Sequence, residues 1–413
     1  MQEPHALLLE SVHPTAEEDL RAHGITVHTR PKGLGEDALI EALQSLPDGP
    51  LMVGLRSKTH ITQRVMDAVP NLVAIGAFCI GTDQIDLGRA RLGGVPVFNA
   101  PFSSTRSVAE LVVAEVVVLS RGIVPRSKAA HEGRWAKSAT GSHEVRGKTL
   151  GIIGYGHIGS QVSIMAEALG MRVLSFDIDK KLPLGNAQAC PSMDALLAES
   201  DFVSLHVPDT PLTRGLIDDD KLGLMKPGAY LLNLSRGRVV DIPALRARLV
   251  SGHLAGAAVD VYPKEPASTA EEFQSELRGL DNVILTPHIG GSTVEAQANI
   301  GREVASALCR WVQEGSTLGC VNLPPLEVPI PKGSSGGCRI VNVHRNVPGV
   351  LSAVNSVVAE SAINIVGQSL ATNDDVGLLF IDMPVNVSDP KTAELREAIA
   401  SLDTSVRTHL IGG

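Results

Sequence analysis

From residue 1 to about 103, short apolar runs alternate with segments whose apolar residues recur every three or four positions. HALLLE, PLMVGLRS, NLVAIGAF and VPVFNA are continuous enough to be strands, while TQRVMDAV and DQIDLGRARL have helical spacing. That alternation predicts a parallel α/β unit, because each parallel strand needs a crossover before the next. The following segment, SVAELVVAEVVVLSRG, is apolar around nearly its whole circumference. Such a helix must be buried, which places a domain or subunit interface there.

A second α/β series runs through GKTLGIIG, RVLSFD, DFVSLHV, AYLLNLSR, AGAAVDV and NVILT. Strands of this kind, separated by helix-like or turn-rich sequence, predict a doubly wound sheet. After Pro287 the pattern becomes one long amphipathic stretch, EAQANIGREVASALCRWVQEG, with no strand behind it, read as the chain returning to pack on the first domain. Residues 316–337 are rich in Gly, Pro and Ser and read as a linker. From 338 to 413 the order is strand, helix, strand, strand, helix, strand, which is the ferredoxin-like arrangement.

Composition narrows the class. A chain of 413 residues is too long for one ordinary core, so two or three domains are expected. With 44% hydrophobic and 20% charged residues it is globular, and with 3% aromatics its cores must be aliphatic. A net charge of −9 without runs of Lys or Arg argues against a nucleic-acid partner. Cys79, Cys190, Cys309, Cys320 and Cys338 are scattered, with no Cys-x-x-Cys pair, so neither a disulfide framework nor a metal site is expected, and a reducing cytoplasm is the simpler setting. The opening MQEPHALLLE lacks a basic region followed by a sustained apolar stretch, and no apolar run approaches membrane-spanning length.

Candidate chemistry begins at GIIGYGHIG, where Gly154, Gly156 and Gly159 follow an apolar strand and open a helix. Glycines there permit a tight turn, close approach of backbone to a pyrophosphate and close helix packing, and the helix N-terminus supplies positive potential. Asp177 ends the next strand, near the spacing of about 20 residues expected of an acid that binds the ribose hydroxyls. Its charge favours NAD over NADP by repelling a 2′-phosphate. Asp177 also reads as a solvated strand end, and Lys180 and Lys181 keep NADP open.

Three further charged residues follow strands of the second series: Arg236 in NLSRG, Glu265 in VDVYPKEP and His288 in TPHIGG. Removing hydride from a secondary alcohol calls for a base, which His supplies near neutrality. It also calls for a cation to hold the neighbouring carboxylate, for which Arg offers a planar fork. Taken singly, Arg236 also reads as a surface cation, Glu265 as a turn acid and His288 as a cap or core histidine. With 13 histidines in the chain, spacing alone does not choose one.

These segments, together with AIGAFCIGTDQIDL, FNAPFSSTRSVAELV and LMKPGAYLLNLSRGRVVDIPAL, resemble the D-isomer-specific 2-hydroxyacid dehydrogenase family across essentially the whole chain, and in particular its bacterial members that oxidise 3-phosphoglycerate. The resemblance implies a Rossmann nucleotide-binding domain (104–288) inserted in a discontinuous flavodoxin-like substrate domain (1–103 and 289–315), with the site in the cleft between them. It implies a catalytic set of Arg236, Glu265 and His288. Gly154, Gly156, His157, Ile158, Gly159, Asp177, Leu234, Ser235, Arg236, Asp260, His288, Ile289, Gly290 and Gly291 are the residues it places at or near NAD. For the phosphate it leaves Arg56 and Lys58 in GLRSKTH and Lys137 in GRWAKSA, otherwise ordinary surface cations.

The C-terminal segment resembles an ACT regulatory domain. VNVHRNVPGVL keeps an H-x-N-x-P-G pattern, so His344, Asn346 and Asn364 are implied to hold an L-serine effector, unless the domain serves assembly alone. The family also implies a homotetramer. Rival readings are the same fold acting on another D-2-hydroxy acid, such as D-lactate or glyoxylate, and a non-enzymatic NAD-sensing corepressor.

Overall fold

The computed structural model describes residues 3–266, 270–330 and 337–412. The chain divides into two compact units, Met1–Ser103 with Gln297–Gly413, and Ser104–Ala296.

The first unit opens with β1 (His5–Leu8), β2 (Thr26–Thr29), β3 (Leu51–Leu55), β4 (Leu72–Ala77) and β5 (Val97–Phe98) in a parallel sheet ordered β2-β1-β3-β4-β5. β1, β3 and β4 are buried along their whole length, which is why they read as unbroken apolar runs. One face carries a core around Leu39, Leu43, Val65 and Ile75. The other receives Val304, Leu308 and Trp311 of the helix Val294–Glu314, and the Trp311 indole donates to the Val73 carbonyl at 2.9 Å.

The second unit holds β6 (Thr149–Ile153), β7 (Arg172–Phe176), β8 (Gln188–Ala189), β9 (Phe202–Leu205), β10 (Ala229–Asn233), β11 (Leu254–Val259) and β12 (Val283–Leu285). All pair in parallel in the order β12-β11-β10-β9-β6-β7-β8. The sequence pattern names six of these. β8 spans two exposed residues and offers no periodicity to read. Strand order reverses beside β6, the topological switch point at which open α/β sheets bind ligands. The helix Thr105–Arg121 buries Val108, Val112, Glu115, Val116 and Leu119 on one side of this sheet.

The C-terminal strands β13 (Cys338–Arg345), β14 (Gly367–Thr372), β15 (Val376–Met383) and β16 (Ser405–Gly412) form an antiparallel sheet ordered β14-β15-β13-β16. Helices Val350–Ser361 and Pro390–Ala400 cover one face through Val354, Val358, Leu395 and Ile399. The opposite face is covered along its central strands. Val341, Val343, Leu378, Phe380 and Ile411 join the core around Trp311 and Val304 of the first sheet. Arg407 fastens the junction, its guanidinium donating to the carbonyls of Leu72 at 2.7 Å, Gly93 at 3.2 Å and Pro70 at 3.4 Å.

Part of the Gly- and Pro-rich segment between them is equally tied. Val97 N–H donates to Asn322 Oδ1 at 2.8 Å, Asn322 Nδ2 donates to Val95 O at 2.8 Å, and Thr317 Oγ1 donates to Pro324 O at 2.7 Å while accepting from Leu326 N at 2.8 Å. Side-chain-to-backbone bonds of this sort leave no hydrophobic period, so the sequence reads as a bare linker.

Candidate active site

Gly154 follows β6 in the left-handed region, φ 91°, and a Cβ on it would lie 2.3 Å from the His206 carbonyl oxygen. A Cβ on Gly159 would lie 2.3 Å from Gly154 O, so the helix His157–Ala168 can come this close to the turn only without one. Gly156, the N-cap of that helix, has nothing within 4 Å of where a Cβ would stand. The result is a glycine turn, open at Gly156, that leads into the positive end of a helix, which suits the pyrophosphate of a dinucleotide. His157 is exposed and Ile158 half-buried at its rim.

Asp177 stands past β7 and is fixed, with Oδ2 accepting from Tyr155 N at 2.8 Å and Oδ1 from Asp179 N at 3.0 Å. Lys181, a cation that could answer a 2′-phosphate, is instead bonded to Asp179 at 3.1 Å. Asp177→Ala is therefore expected to raise the KM for NAD about tenfold and to relax discrimination against NADP, the loss of hydrogen bonds and of a repulsive charge acting together. Parallel titrations with the two cofactors measure this, and an unaltered preference would reject the assignment.

The catalytic candidates lie on loops after β10, β11 and β12, which are neighbours in the sheet. After β10, Asn233 closes an Asx turn: its Oδ1 accepts from Ser235 N at 3.2 Å and Ser235 Oγ at 2.9 Å, and its Nδ2 donates to Arg236 O at 3.0 Å. Leu234 and Ser235 are buried and Arg236 half-buried, its Nη1 donating to Ser235 O at 2.8 Å. After β11, Glu265 Oε1 accepts from Tyr262 N at 3.2 Å. After β12, His288 adopts φ 55°, and its Nδ1 meets Glu265 Oε1 at 3.0 Å and Oε2 at 2.9 Å.

That contact sets the electrostatics. The Glu265 bond raises the His288 pKa above its ordinary value, against the burial that lowers it. Burial alone would push Glu265 up, but the bond to His288 and that cation's charge hold it below the usual carboxylate range. An imidazole with Nδ1 engaged by a carboxylate has Nε2 left to exchange a proton with a substrate hydroxyl.

The His288 turn is held from beneath by Asp260, which is 1% exposed. Its Oδ1 accepts from Thr286 Oγ1 at 2.6 Å and Ile289 N at 2.8 Å, its Oδ2 accepts from Gly290 N at 2.8 Å, and its carbonyl accepts from His288 N at 2.9 Å. Gly290 is buried against Asp260 and Val108, and Gly291 packs near Ser104. Sequence reasoning places Asp260 beside NAD and misses this anchoring. It also misses Tyr262 and Glu115. Both Glu115 carboxyl oxygens are buried without a hydrogen-bond partner among the described residues, and burial, then the Asp260 charge, pushes its pKa to about 8. Asn233 could have been found from the Asn-x-Ser spacing alone; a Glu inside an apolar helix carries no such signal.

Of the phosphate candidates, Arg56 is half-buried and Lys58 exposed on one loop after β3, while Lys137 is exposed in the second unit. In the C-terminal domain Asn346 and Asn364 are exposed, and Asn346 Nδ2 donates to Asn373 O at 2.7 Å. His344 is buried, 3% exposed, with Nδ1 3.1 Å from Asn342 Oδ1. Among the described residues no hydrogen bond joins Asn364 to either. No group of three or more His, Cys, Asp or Glu able to hold a metal ion occurs among the described residues, and no helix among them is long and apolar enough to cross a membrane.

Residues 113–290 match the NAD binding domain of the D-isomer specific 2-hydroxyacid dehydrogenases, and residues 340–406 match an AHAS small subunit-like ACT domain. The chain is 48% identical over 406 residues to D-3-phosphoglycerate dehydrogenase of Haemophilus influenzae, covering 98% of this chain and 96% of that one. It is 49% identical over 405 residues to the Escherichia coli enzyme of the same name, covering 98% and 97%. A D-lactate dehydrogenase from Aquifex aeolicus, solved with NAD and lactic acid, superposes with a TM-score of 0.66 at 28% identity, covering 74% of this chain and 95% of that one. An NAD-dependent oxidoreductase site and an ACT domain thus occur on one chain, which belongs to the D-3-phosphoglycerate dehydrogenase family of D-isomer specific 2-hydroxyacid dehydrogenases.

Proposed function

We propose that this enzyme oxidises 3-phospho-D-glycerate to 3-phosphohydroxypyruvate with NAD, the first step toward L-serine, and that L-serine restrains it through the ACT domain. The observation that carries the reading is the His288–Glu265 pair beside Arg236, in a chain 48% identical over nearly its full length to an enzyme of that name. His288 takes the hydroxyl proton, Glu265 supports the imidazolium, and Arg236 grips the carboxylate and polarises the developing carbonyl. NAD, when bound over the Gly154–Gly159 cradle, supplies the hydride acceptor. Arg56 and Lys58, with Lys137 of a neighbouring subunit, take the phosphate. A homotetramer in a reducing cytoplasm, where all five cysteines stay free, completes the reading. The test follows NADH oxidation with 3-phosphohydroxypyruvate, pyruvate and glyoxylate. Preference for pyruvate or glyoxylate would return the chain to the rival substrates, and no turnover with any would favour a sensor.

For regulation, serine sits between paired ACT domains, bridging Asn346 of one subunit and Asn364 of its neighbour, with His344 fixing the strand end. Each amide offers both a donor and an acceptor to the amino acid. Asn346→Ala and Asn364→Ala are each expected to weaken serine inhibition about tenfold or more, with serine-free rates near wild type. Serine titrations of initial rates measure this. Wild-type indifference to millimolar serine would leave the domain an assembly role.

A further inference from the structure

β1 and β3 are adjacent parallel strands, with Leu8 opposite Gly54, so the residues just past their carboxyl ends come out side by side. Leu9 N–H continues the ladder onto Gly54 O at 2.8 Å. The chain then turns through two non-glycine residues in the left-handed region, Glu10 at φ 61° and Ser11 at φ 51°. That conformation is unfavourable for side chains carrying a Cβ and persists only where surrounding contacts enforce it. Here it accompanies the burial of a carboxylate. Glu10 is 8% exposed, and its Oε2 accepts from Ser57 N and Lys58 N, both at 3.0 Å, while its Oε1 accepts from Thr59 N at 2.7 Å.

Three consecutive backbone N–H groups converging on one anion form a nest, a motif that elsewhere captures free phosphate. In this loop the nest is filled from within, so a phosphate arriving at it must rely on the side chains of Arg56 and Lys58. The loop is pinned from its other edge as well, because Gln84 Nε2 donates to Arg56 O. Thr59, fully buried, accepts from Leu34 N at 3.2 Å. Burying a carboxylate is costly unless its oxygens are satisfied, and here three backbone N–H groups satisfy them. What the carboxylate adds is a fixed backbone for the loop.

We propose that Glu10 is a positioning residue for the phosphate end of the substrate: by holding the amides of Ser57, Lys58 and Thr59 it sets the direction in which Arg56 and Lys58 are presented. This rests on the phosphate role given above to Arg56 and Lys58. It makes a prediction opposite in sign to simple electrostatics. Glu10→Gln removes a negative charge near the phosphate, which by charge alone would tighten anion binding. It also places an amide NH2 among backbone donors, which breaks the nest and lets the loop move.

The test compares 3-phosphohydroxypyruvate with hydroxypyruvate, the same oxo acid without the phosphate, in NADH-oxidation assays of the full-length enzyme. In Glu10→Gln the KM for the phosphorylated substrate should rise about tenfold, while its kcat and the KM for hydroxypyruvate each change less than about twofold. Glu10→Asp, which keeps the charge but withdraws it by one methylene, should raise the same KM ratio by a smaller factor, and it stands in if the glutamine variant does not fold. Arg56→Ala is run in parallel. If it leaves the ratio of the two KM values unchanged, the phosphate assignment itself fails. If Arg56→Ala raises the ratio and the Glu10 variants do not, or if they lower the KM for the phosphorylated substrate or shift both substrates alike, the positioning role is overturned.

Discussion

Replacing His288 by alanine is expected to lower kcat by roughly 10²–10⁴-fold, the usual contribution of a positioned acid–base group, while calorimetry finds NAD binding changed by less than about threefold. The separation follows from position. The dinucleotide cradle is built from Gly154, Gly156, Gly159 and Asp177 around β6 and β7, whereas His288 stands past β12 at the far edge of the sheet. His288→Asn provides a second variant, since Asn tolerates the left-handed backbone at φ 55° better than Ala does. A kcat near wild type in both would remove the proton-transfer role. The pH profile tests the same pair. Oxidation needs neutral His288, so its rate rises with pH through a pKa that Glu265 holds above 6.5; reduction needs the imidazolium, so its rate falls through the same value. Glu265→Gln takes away the charge and leaves only a neutral acceptor for Nδ1–H, and both limbs should move to lower pH.

The elements most legible in the sequence are those buried on both faces. β1, β3, β4 and β6 appear as unbroken apolar runs because helices or a second sheet cover each side, and the Gly154–Gly159 turn is readable because only glycine fits where a Cβ would meet a carbonyl 2.3 Å away. Arg236, Glu265 and His288 are legible because each lies in the loop that follows a strand, but their meeting depends on β10, β11 and β12 being neighbours, which periodicity does not state. Their roles come from family resemblance. Features built from single side chains bonded to backbone leave no pattern at all: Glu10 under the 57–59 loop, Asn322 along β5 and Arg407 on the Leu72 carbonyl each join segments far apart in sequence. The C-terminal sheet reads as a self-contained unit since its order is complete, yet one of its faces is core shared with the first sheet. A strand such as β13, buried along nearly its whole length, signals a covered second face without saying what covers it.

Asp260→Asn should show how far catalysis depends on the support beneath His288. The carboxylate accepts from three donors, the Thr286 hydroxyl and the amides of Ile289 and Gly290. Asparagine supplies one oxygen and one NH2, so at least one backbone N–H would face another donor inside a site that is 1% exposed. Each buried donor left unpaired costs about 1–3 kcal/mol. With a shift of roughly 2–4 °C per kcal/mol for a domain of this size, Tm should drop by several degrees. The larger effect should be on rate. His288 holds an unfavourable backbone conformation that the Asp260 carboxylate and carbonyl together impose, and release of the turn would take the imidazole away from Glu265. A misplacement of about 1 Å can cost about 100-fold in kcat. Loss of the Asp260 charge should also lower the pKa of His288, since that charge helps raise it, and that of Glu115, the acid Asp260 helps push to about 8. Thr286→Val, which removes only the hydroxyl donor and leaves the carboxylate on both amides, should change kcat less than about threefold. A purely structural Asp260 would lower Tm yet leave the folded variant turning over normally well below its midpoint. Steady-state kinetics of Asp260→Asn at low temperature therefore decide the matter, and a wild-type kcat there would remove Asp260 from the account of how His288 is held.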